Sequence, residues 1–188
     1  MATRLSTACT AFAGTRFFAS GSLIDMALAI KAAGNTDPPI LLFDDATGQV
    51  IDLDLSGSTT EIIARLTPPP EPARGRGRPR LGVVAREVTL LPRHWDWLAD
   101  QPGGASQALR RLIDAARKAD NGRTAARQAS ERTWRFLNAL AGDLPGFEEA
   151  SRALFAGDGT LFAQCMNRWP AAVRAYALQL AMPDSTGD

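Results

Sequence analysis

The stretch ACTAFAGTRFFA, residues 8–19, decides how the fold begins. Two short apolar runs flank Gly14, and a glycine can adopt the positive φ that a tight hairpin turn requires. The stretch is therefore predicted to form two antiparallel strands. A helix is predicted next, over residues 22–33, because apolar residues recur there at helical spacing. Ser22 is the predicted N-cap of this helix, and Gly34 is predicted to end it.

A second hairpin is predicted over ILLFDDATGQVIDLDL, residues 40–55, with its turn at residues 45–48. A short helix follows at residues 58–66, where Ser58 and Glu61 have the spacing of a capping box. Together these elements predict a β-β-α-β-β-α module over residues 1–66. Its clustered carboxylates suit a turn and the solvent face of a strand better than a metal or catalytic site. They are Asp44, Asp45, Asp52 and Asp54.

Residues 67–80 are predicted to be a linker. The run TPPPEPARGRGRPRLG, residues 67–82, holds five prolines and three glycines, which oppose regular helix and sheet. Its core, Arg76-Gly77-Arg78-Pro79, resembles an AT-hook. The resemblance implies arginines that enter the narrow minor groove of A·T-rich DNA, where negative potential is concentrated. General contact with phosphates and an inert, solubilising linker are the alternatives.

The charge along the chain is uneven. Residues 74–135 carry fourteen basic and six acidic side chains, a net charge of +8, whereas residues 1–66 and 136–188 each carry −3. A basic middle between acidic ends favours contact with a polyanion. The alternative is a set of arginine-rich helix faces that are simply solvated.

Residues 81–120 predict a short strand at 85–91, a helix beginning near Pro92, a turn at residues 102–104 and a second helix to about Lys118. The strand ending in Leu91-Pro92, the Gly104-x-Ser106 turn and the run ALRRLIDAA resemble the ribbon-helix-helix DNA-binding family. The resemblance implies a homodimer in which two chains pair their strands into a ribbon, and a DNA phosphate held at Ser106.

The sequence does not decide which face of the predicted ribbon strand would contact DNA. Either Arg86, Val88 and Leu90 or Glu87 and Thr89 would face the bases. The apolar pair Val88 and Leu90 is out of phase with Leu91, so a bulge or slip would be needed to match the family pattern. An ordinary helical hairpin is the alternative for this segment. The predicted DNA-binding residues are Arg74, Arg76, Gly77, Arg78, Pro79, Arg80, Arg86, Ser106, Arg110 and Arg111.

Residues 121–188 predict a bundle of short helices, and most aromatic residues there are interpreted as core. Over its whole length, including REVTLLPRHWDWL at 86–98 and LPGFEEASRALFAGDG at 144–159, the chain resembles a bacterial family of unknown function. That resemblance implies a bacterial source. The predicted fold class is α+β: the N-terminal module, the Pro/Arg-rich linker, the strand-helix-helix segment and the C-terminal helical bundle.

An enzyme is not predicted. The chain has one histidine, His94, and neither a nucleophile paired with a base nor a phosphate-cradling glycine motif. Its two cysteines, Cys9 and Cys165, suggest no disulfide framework or metal site, and no cofactor or small-molecule substrate is expected. No run is long enough to span a membrane, which predicts a cytoplasmic protein. The sequence therefore predicts a DNA-binding regulator or nucleoid-associated protein, and a protein-interaction adaptor is the alternative.

Overall fold

The computed structural model describes residues 7–67 and 86–183. These residues form a three-stranded antiparallel sheet and eight helices, which confirms the α+β class. The predicted AT-hook-like residues, 74–80, lie outside the described residues. None of the helices in the described ranges is both long enough and apolar enough to cross a bilayer.

The sheet has the strand order β2-β1-β3, with β1 at Ala8–Ala13, β2 at Arg16–Ser22 and β3 at Ile40–Asp44. Gly14, at φ 57°, makes the turn between β1 and β2. Helix α1, Leu23–Ala33, follows β2 directly, and the Ser22 hydroxyl accepts a hydrogen bond from the backbone N–H of Asp25. This bond satisfies one of the amide groups that every helix leaves unpaired at its start.

The predicted fourth strand is not formed in the described residues. Past β3, the chain makes one isolated bridge, Phe43 to Val50, and then leaves the sheet. Side chains from two helices hold the departing segment: Lys31 Nζ donates to the carbonyl of Leu55 at 2.9 Å, and Arg65 Nη1 donates to Asp54 Oδ2 at 2.7 Å. The alternating pattern of residues 50–55 therefore reflects one face against the core without a partner strand. The arrangement β-β-α-β-α replaces the predicted β-β-α-β-β-α.

The other helices have clear bounds. They are α2 at Thr59–Leu66, α3 at Pro92–Ala99, α4 at Gly104–Asp120, α5 at Arg123–Leu140, α6 at Phe147–Ala156, α7 at Gly159–Cys165 and α8 at Ala171–Ala181. The chain divides into two compact units. In the described residues, the first unit comprises 7–67 and 122–183, and the second comprises 86–121.

The first unit packs helices on both faces of its sheet. Cys9, Ala11 and Leu42 pack on one face with Leu23 and Met26 of α1. On the other face, Phe12 and Phe43 contact two aromatic residues of the C-terminal helices. The ring centroids of Phe43 and Phe136 are 5.0 Å apart, and those of Phe136 and Tyr176 are 4.8 Å apart. The N-terminal module and the C-terminal helical region, which the sequence predicts as separate regions, thus share one hydrophobic core within the described residues.

Most C-terminal aromatic residues belong to this core, as the helical spacing predicted. Phe136, Phe162, Trp169 and Tyr176 are buried. Two others are exposed: Trp134 on α5 and Phe155 at the end of α6. Exposed aromatic residues in small numbers are normal on protein surfaces, so these two alone do not define a binding surface.

Candidate nucleic-acid interface

The second compact unit is a hairpin of α3 and α4. Pro92 occupies the first turn of α3, where its missing N–H would have no helical partner in any case. Gly103 and Gly104 both have positive φ, 83° and 72°, and they turn the chain into α4. The positive φ of Gly103 favours glycine at that position, because other residues are strained in this backbone conformation.

Residues 86–91, predicted as a strand, are irregular backbone in the described chain. A β-strand needs a neighbour that accepts and donates its backbone hydrogen bonds, and no strand in the described residues lies beside this segment. The strand prediction therefore does not hold for a single chain. Val88 and Leu91 are exposed in this segment, and Leu90 is half-buried.

The core of the second unit is very small. In the described residues 86–121, only Leu98 and Ala108 are buried. Large apolar side chains of both helices are open to solvent: Trp95 is 42% exposed, Leu112 is 45% exposed and Ile113 is 56% exposed. We call Val88, Trp95, Leu109, Leu112 and Ile113 the apolar stripe. The hairpin by itself leaves most of this stripe uncovered.

An open cleft of about 520 Å³ lies within the second unit. Val88, Trp95 and Leu109 supply its apolar lining, and Arg86 and Ser106 also line it. The structure thus brings together two of the predicted DNA-binding residues, although they are distant in sequence. The complete lining consists of Arg86, Glu87, Val88, Thr89, Trp95, Ala105, Ser106 and Leu109.

Helix α4 also carries four basic residues. At about 100° per residue, Arg111 and Lys118 lie opposite the apolar stripe, whereas Arg110 and Arg117 lie beside it, next to Ile113. All four are exposed. Arg111 Nη2 lies 3.4 Å from the side-chain oxygen of Gln101, whereas Arg110, Arg117 and Lys118 have no hydrogen-bond or ion-pair partner in the described residues. Three cations on this helix are therefore available to an external anion.

Four arginines of the basic segment 74–135 belong instead to the first unit, and three of them contact other groups of that unit as follows. Arg132 is buried, and its Nε donates to the carbonyl of Leu180 at 2.7 Å. Arg135 Nη1 donates to the carbonyl of Thr47 at 2.9 Å, and Arg135 also pairs with Glu131. Arg127 pairs with the same carboxylate at 3.9 Å. The i,i+4 spacing of Glu131 to both partners was the available sequence signal that these charges are internally matched.

Comparison with known protein families identifies a relationship. A family model described as "Uncharacterized protein conserved in bacteria (DUF2239)" matches residues 8–181. The match covers both compact units. No curated protein and no solved structure matches the chain significantly.

Proposed function

The chain belongs to the bacterial family DUF2239, and we propose that it binds DNA through residues 74–118, as a transcriptional regulator or nucleoid-associated protein in the cytoplasm. The observation that carries the proposal is the surface of α4. Arg110, Arg117 and Lys118 project from this helix without partners in the described residues. Cations that the protein does not neutralise itself are the residues a phosphate backbone attracts, with release of its bound counterions.

The arginine-rich segment before the second unit adds the specificity that phosphate contacts lack. In this proposal, Arg76 and Arg78 enter an A·T-rich minor groove, where the narrow walls concentrate negative potential. Gly77 lets the backbone approach the groove floor, and Pro79 keeps the chain extended. Arg74 and Arg80 flank this contact on the adjacent phosphates.

Pairing of two chains completes the second unit in this proposal. The apolar stripe is exposed and the backbone of residues 86–91 is not paired with a strand in the described chain. A second copy would cover the stripe with its own stripe and would pair with residues 86–91. Val88, Trp95, Leu112 and Ile113 together expose on the order of 400 Å² of apolar surface per chain. Two facing stripes would bury about 800 Å², and a paired ribbon of residues 86–91 would extend this toward the roughly 1,200–2,000 Å² of stable interfaces.

The cleft supports a phosphate contact in this arrangement. Ser106 lies in the first turn of α4, where backbone N–H groups and the helix dipole favour an anion, and Arg86 lines the same cleft. A phosphate held by Ser106 and Arg86 would fix the orientation of the paired chains on the duplex. Arg110 and Arg111 would then contact phosphates farther along the groove.

Titration of labelled duplexes tests the proposal. Fluorescence anisotropy at two salt concentrations would compare A·T-rich with G·C-rich DNA. If six phosphates are neutralised, log K falls with log salt at a slope of about −5. The variant Arg76→Ala/Arg78→Ala should lose the A·T preference. The control Arg152→Ala/Arg168→Ala removes the same charge from exposed sites on the first unit and should bind like the wild type.

Two outcomes would contradict different parts of the proposal. Absence of binding to any duplex at low ionic strength would reject DNA binding altogether. Equal binding by the wild type and the Arg76→Ala/Arg78→Ala variant would remove the AT-hook-like segment while leaving the contacts of the second unit in place.

A protein-interaction adaptor is the second candidate. Phe155, 57% exposed, and Leu161, 45% exposed, flank the tight turn between α6 and α7, which favours contact of the first unit with another protein. The ultraviolet absorbance spectrum of the purified protein separates the candidates, because nucleic acid and protein absorb most strongly at different wavelengths. Salt-removable nucleic acid supports DNA binding, and a clean spectrum with a stable protein complex supports the adaptor.

A further inference from the structure

The joint between α4 and α5 consists of two residues in the left-handed region. Asn121 has φ 50° and ψ 38°, and Gly122 has φ 79°. Asn121 is the one residue other than glycine with positive φ in the described parts of the chain. Both residues are exposed to solvent. This joint also marks the boundary between the second compact unit and residues 122–183 of the first.

Two groups at this joint are not restrained by hydrogen bonding. In the described residues, the N–H of Gly122 has no acceptor and the carboxamide of Asn121 has no partner. Gly122 also lacks the side chain that would otherwise shield its amide nitrogen. Because both residues are exposed and this amide is not held in a backbone hydrogen bond within the described chain, base from the solvent can reach the peptide bond between them.

We propose that Asn121 is a site of spontaneous deamidation in the folded protein. The deprotonated backbone nitrogen of Gly122 attacks Cγ of Asn121, a new C–N bond closes a five-membered succinimide, and ammonia leaves with the former side-chain nitrogen. Water then opens the ring at either carbonyl. The products are aspartate, with the original backbone, and isoaspartate, in which the backbone runs through the side-chain carbon.

The products change the joint in two ways. A new negative charge appears after the last turn of α4, where the helix dipole already places partial negative charge and disfavours an anion. Isoaspartate also adds a carbon atom to the backbone at a turn that now depends on two left-handed residues. The inference goes beyond DNA binding, since the reaction requires only water and the chain itself.

Three other asparagines provide internal controls in the same sample. Asn35, Asn138 and Asn167 are exposed as well, but none is followed by glycine. Asn138 is the sharpest comparison, because it lies within α5, where the next amide is part of the helix. Exposure alone would make all four asparagines react alike, whereas an unrestrained glycine amide singles out Asn121.

Peptide mapping by mass spectrometry tests the proposal. Folded full-length protein would be aged in mildly alkaline buffer, digested with trypsin and analysed for the mass increase that accompanies replacement of an amide by an acid. We expect the peptide 119–123 to convert several-fold faster than the peptides containing the other asparagines, and to give separable aspartyl and isoaspartyl forms.

Two controls define the result. Asn121→Gly tolerates positive φ and has no carboxamide, so its peptide should show no conversion. Unfolded wild type in denaturant reports the rate set by local sequence alone. Conversion of Asn121 no faster than Asn138 in the folded protein, or conversion seen only in denaturant, would overturn the proposal. Neither readout depends on DNA, so failure here leaves the proposed function standing.

Discussion

Tyr176 donates its hydroxyl hydrogen bond to the carboxylate of Asp45 at 2.6 Å, across 131 positions of the chain. The bond joins the last helix, α8, to the turn that follows β3. Burial, reinforced by the hydrogen bond and negative charge of Asp45, raises the pKa of Tyr176 far above its ordinary value, so the hydroxyl keeps its proton for this bond. Asp45 therefore links the N-terminal sheet to the C-terminal helices, in addition to its place in a turn.

Replacement of Tyr176 by phenylalanine should lower the free energy of unfolding by about 1–2 kcal/mol, because a hydrogen bond to a charged group is removed while the ring remains. Urea denaturation would measure the change. Asp52→Asn, which alters an exposed carboxylate on the same segment, should have little effect. A decrease of less than about 0.5 kcal/mol in Tyr176→Phe would show that water replaces the bond at no cost.

Gly48→Ala should destabilise the first unit by about 3 kcal/mol or more, because a methyl group there would collide with the backbone of Arg132. Gly157→Ala is the control. Gly157 also has a positive φ, 72°, in the ordinary left-handed region, and nothing lies within 4 Å of its would-be Cβ, so the variant should lose only about 1 kcal/mol to strain. Thermal unfolding would compare the two variants. Equal losses of stability in the two variants would mean that the short distance between Gly48 and the backbone of α5 adds nothing to the cost of the substitution.

The stability of the first unit should fall as pH rises above about 9. Burial, together with the negative charges of Asp45 and Asp44, raises the pKa of the Cys9 thiol from 9.0 to about 12. Below pH 9 the thiol is protonated in both the folded and the unfolded chain, so its full contribution to the free energy of unfolding is present. Between the two values the unfolded chain loses its proton while the folded chain keeps it, and stability declines by as much as about 1.4 kcal/mol per pH unit.

Denaturation at about pH 8 and about pH 10 checks this dependence on Cys9. Cys9→Ala should be less stable at both values, because it opens space in the core beneath α1, but it should lose less between them than the wild type loses. Parallel pH dependence in the two proteins would show that Cys9 is not responsible for the decline.

Ile113→Asp should weaken association of the chain with itself, because it places a charge in the apolar stripe that the proposed dimer covers. Sedimentation equilibrium would report an increase of tenfold or more in the dimer dissociation constant, or about 1.4 kcal/mol. Phe155→Asp changes a comparably exposed residue of the first unit and should leave the dimer intact. A wild-type chain that sediments as a monomer at high concentration would contradict the pairing itself.

Arg110→Ala/Arg117→Ala should weaken binding to all duplexes alike, because the side chains of α4 are proposed to contact phosphates. The magnitude of the log-log salt slope should fall by about 2, roughly one for each phosphate that the variant no longer neutralises. Anisotropy titrations over several salt concentrations would measure the slope. If the variant bound only A·T-rich DNA more weakly and its salt slope were unchanged, the proposed contacts of α4 with phosphates would be contradicted.

Local sequence patterns predicted the structure best where it depends on near neighbours. The turn at Gly14, the Ser22 N-cap, the Ser58–Glu61 capping box and the start of α3 at Pro92 are all present. The alternation of residues 50–55 predicted a strand, and this prediction was wrong. Alternating burial only requires one face against a core, whereas a strand also needs a partner for its backbone. Beyond Val50 this segment is instead bonded by the side chains of Lys31 and Arg65.

The sequence by itself determined the family, the α+β class, the positions of most helices and the presence of a basic middle. Only the tertiary structure decided which of those basic residues are free. Arg132 and Arg135 are held by carbonyls of residues 48 and 88 positions away, whereas Arg110 extends from a helix with no such neighbour in the described residues. Local backbone conformation follows from adjacent residues, but the partner of a side chain depends on what the rest of the chain brings beside it.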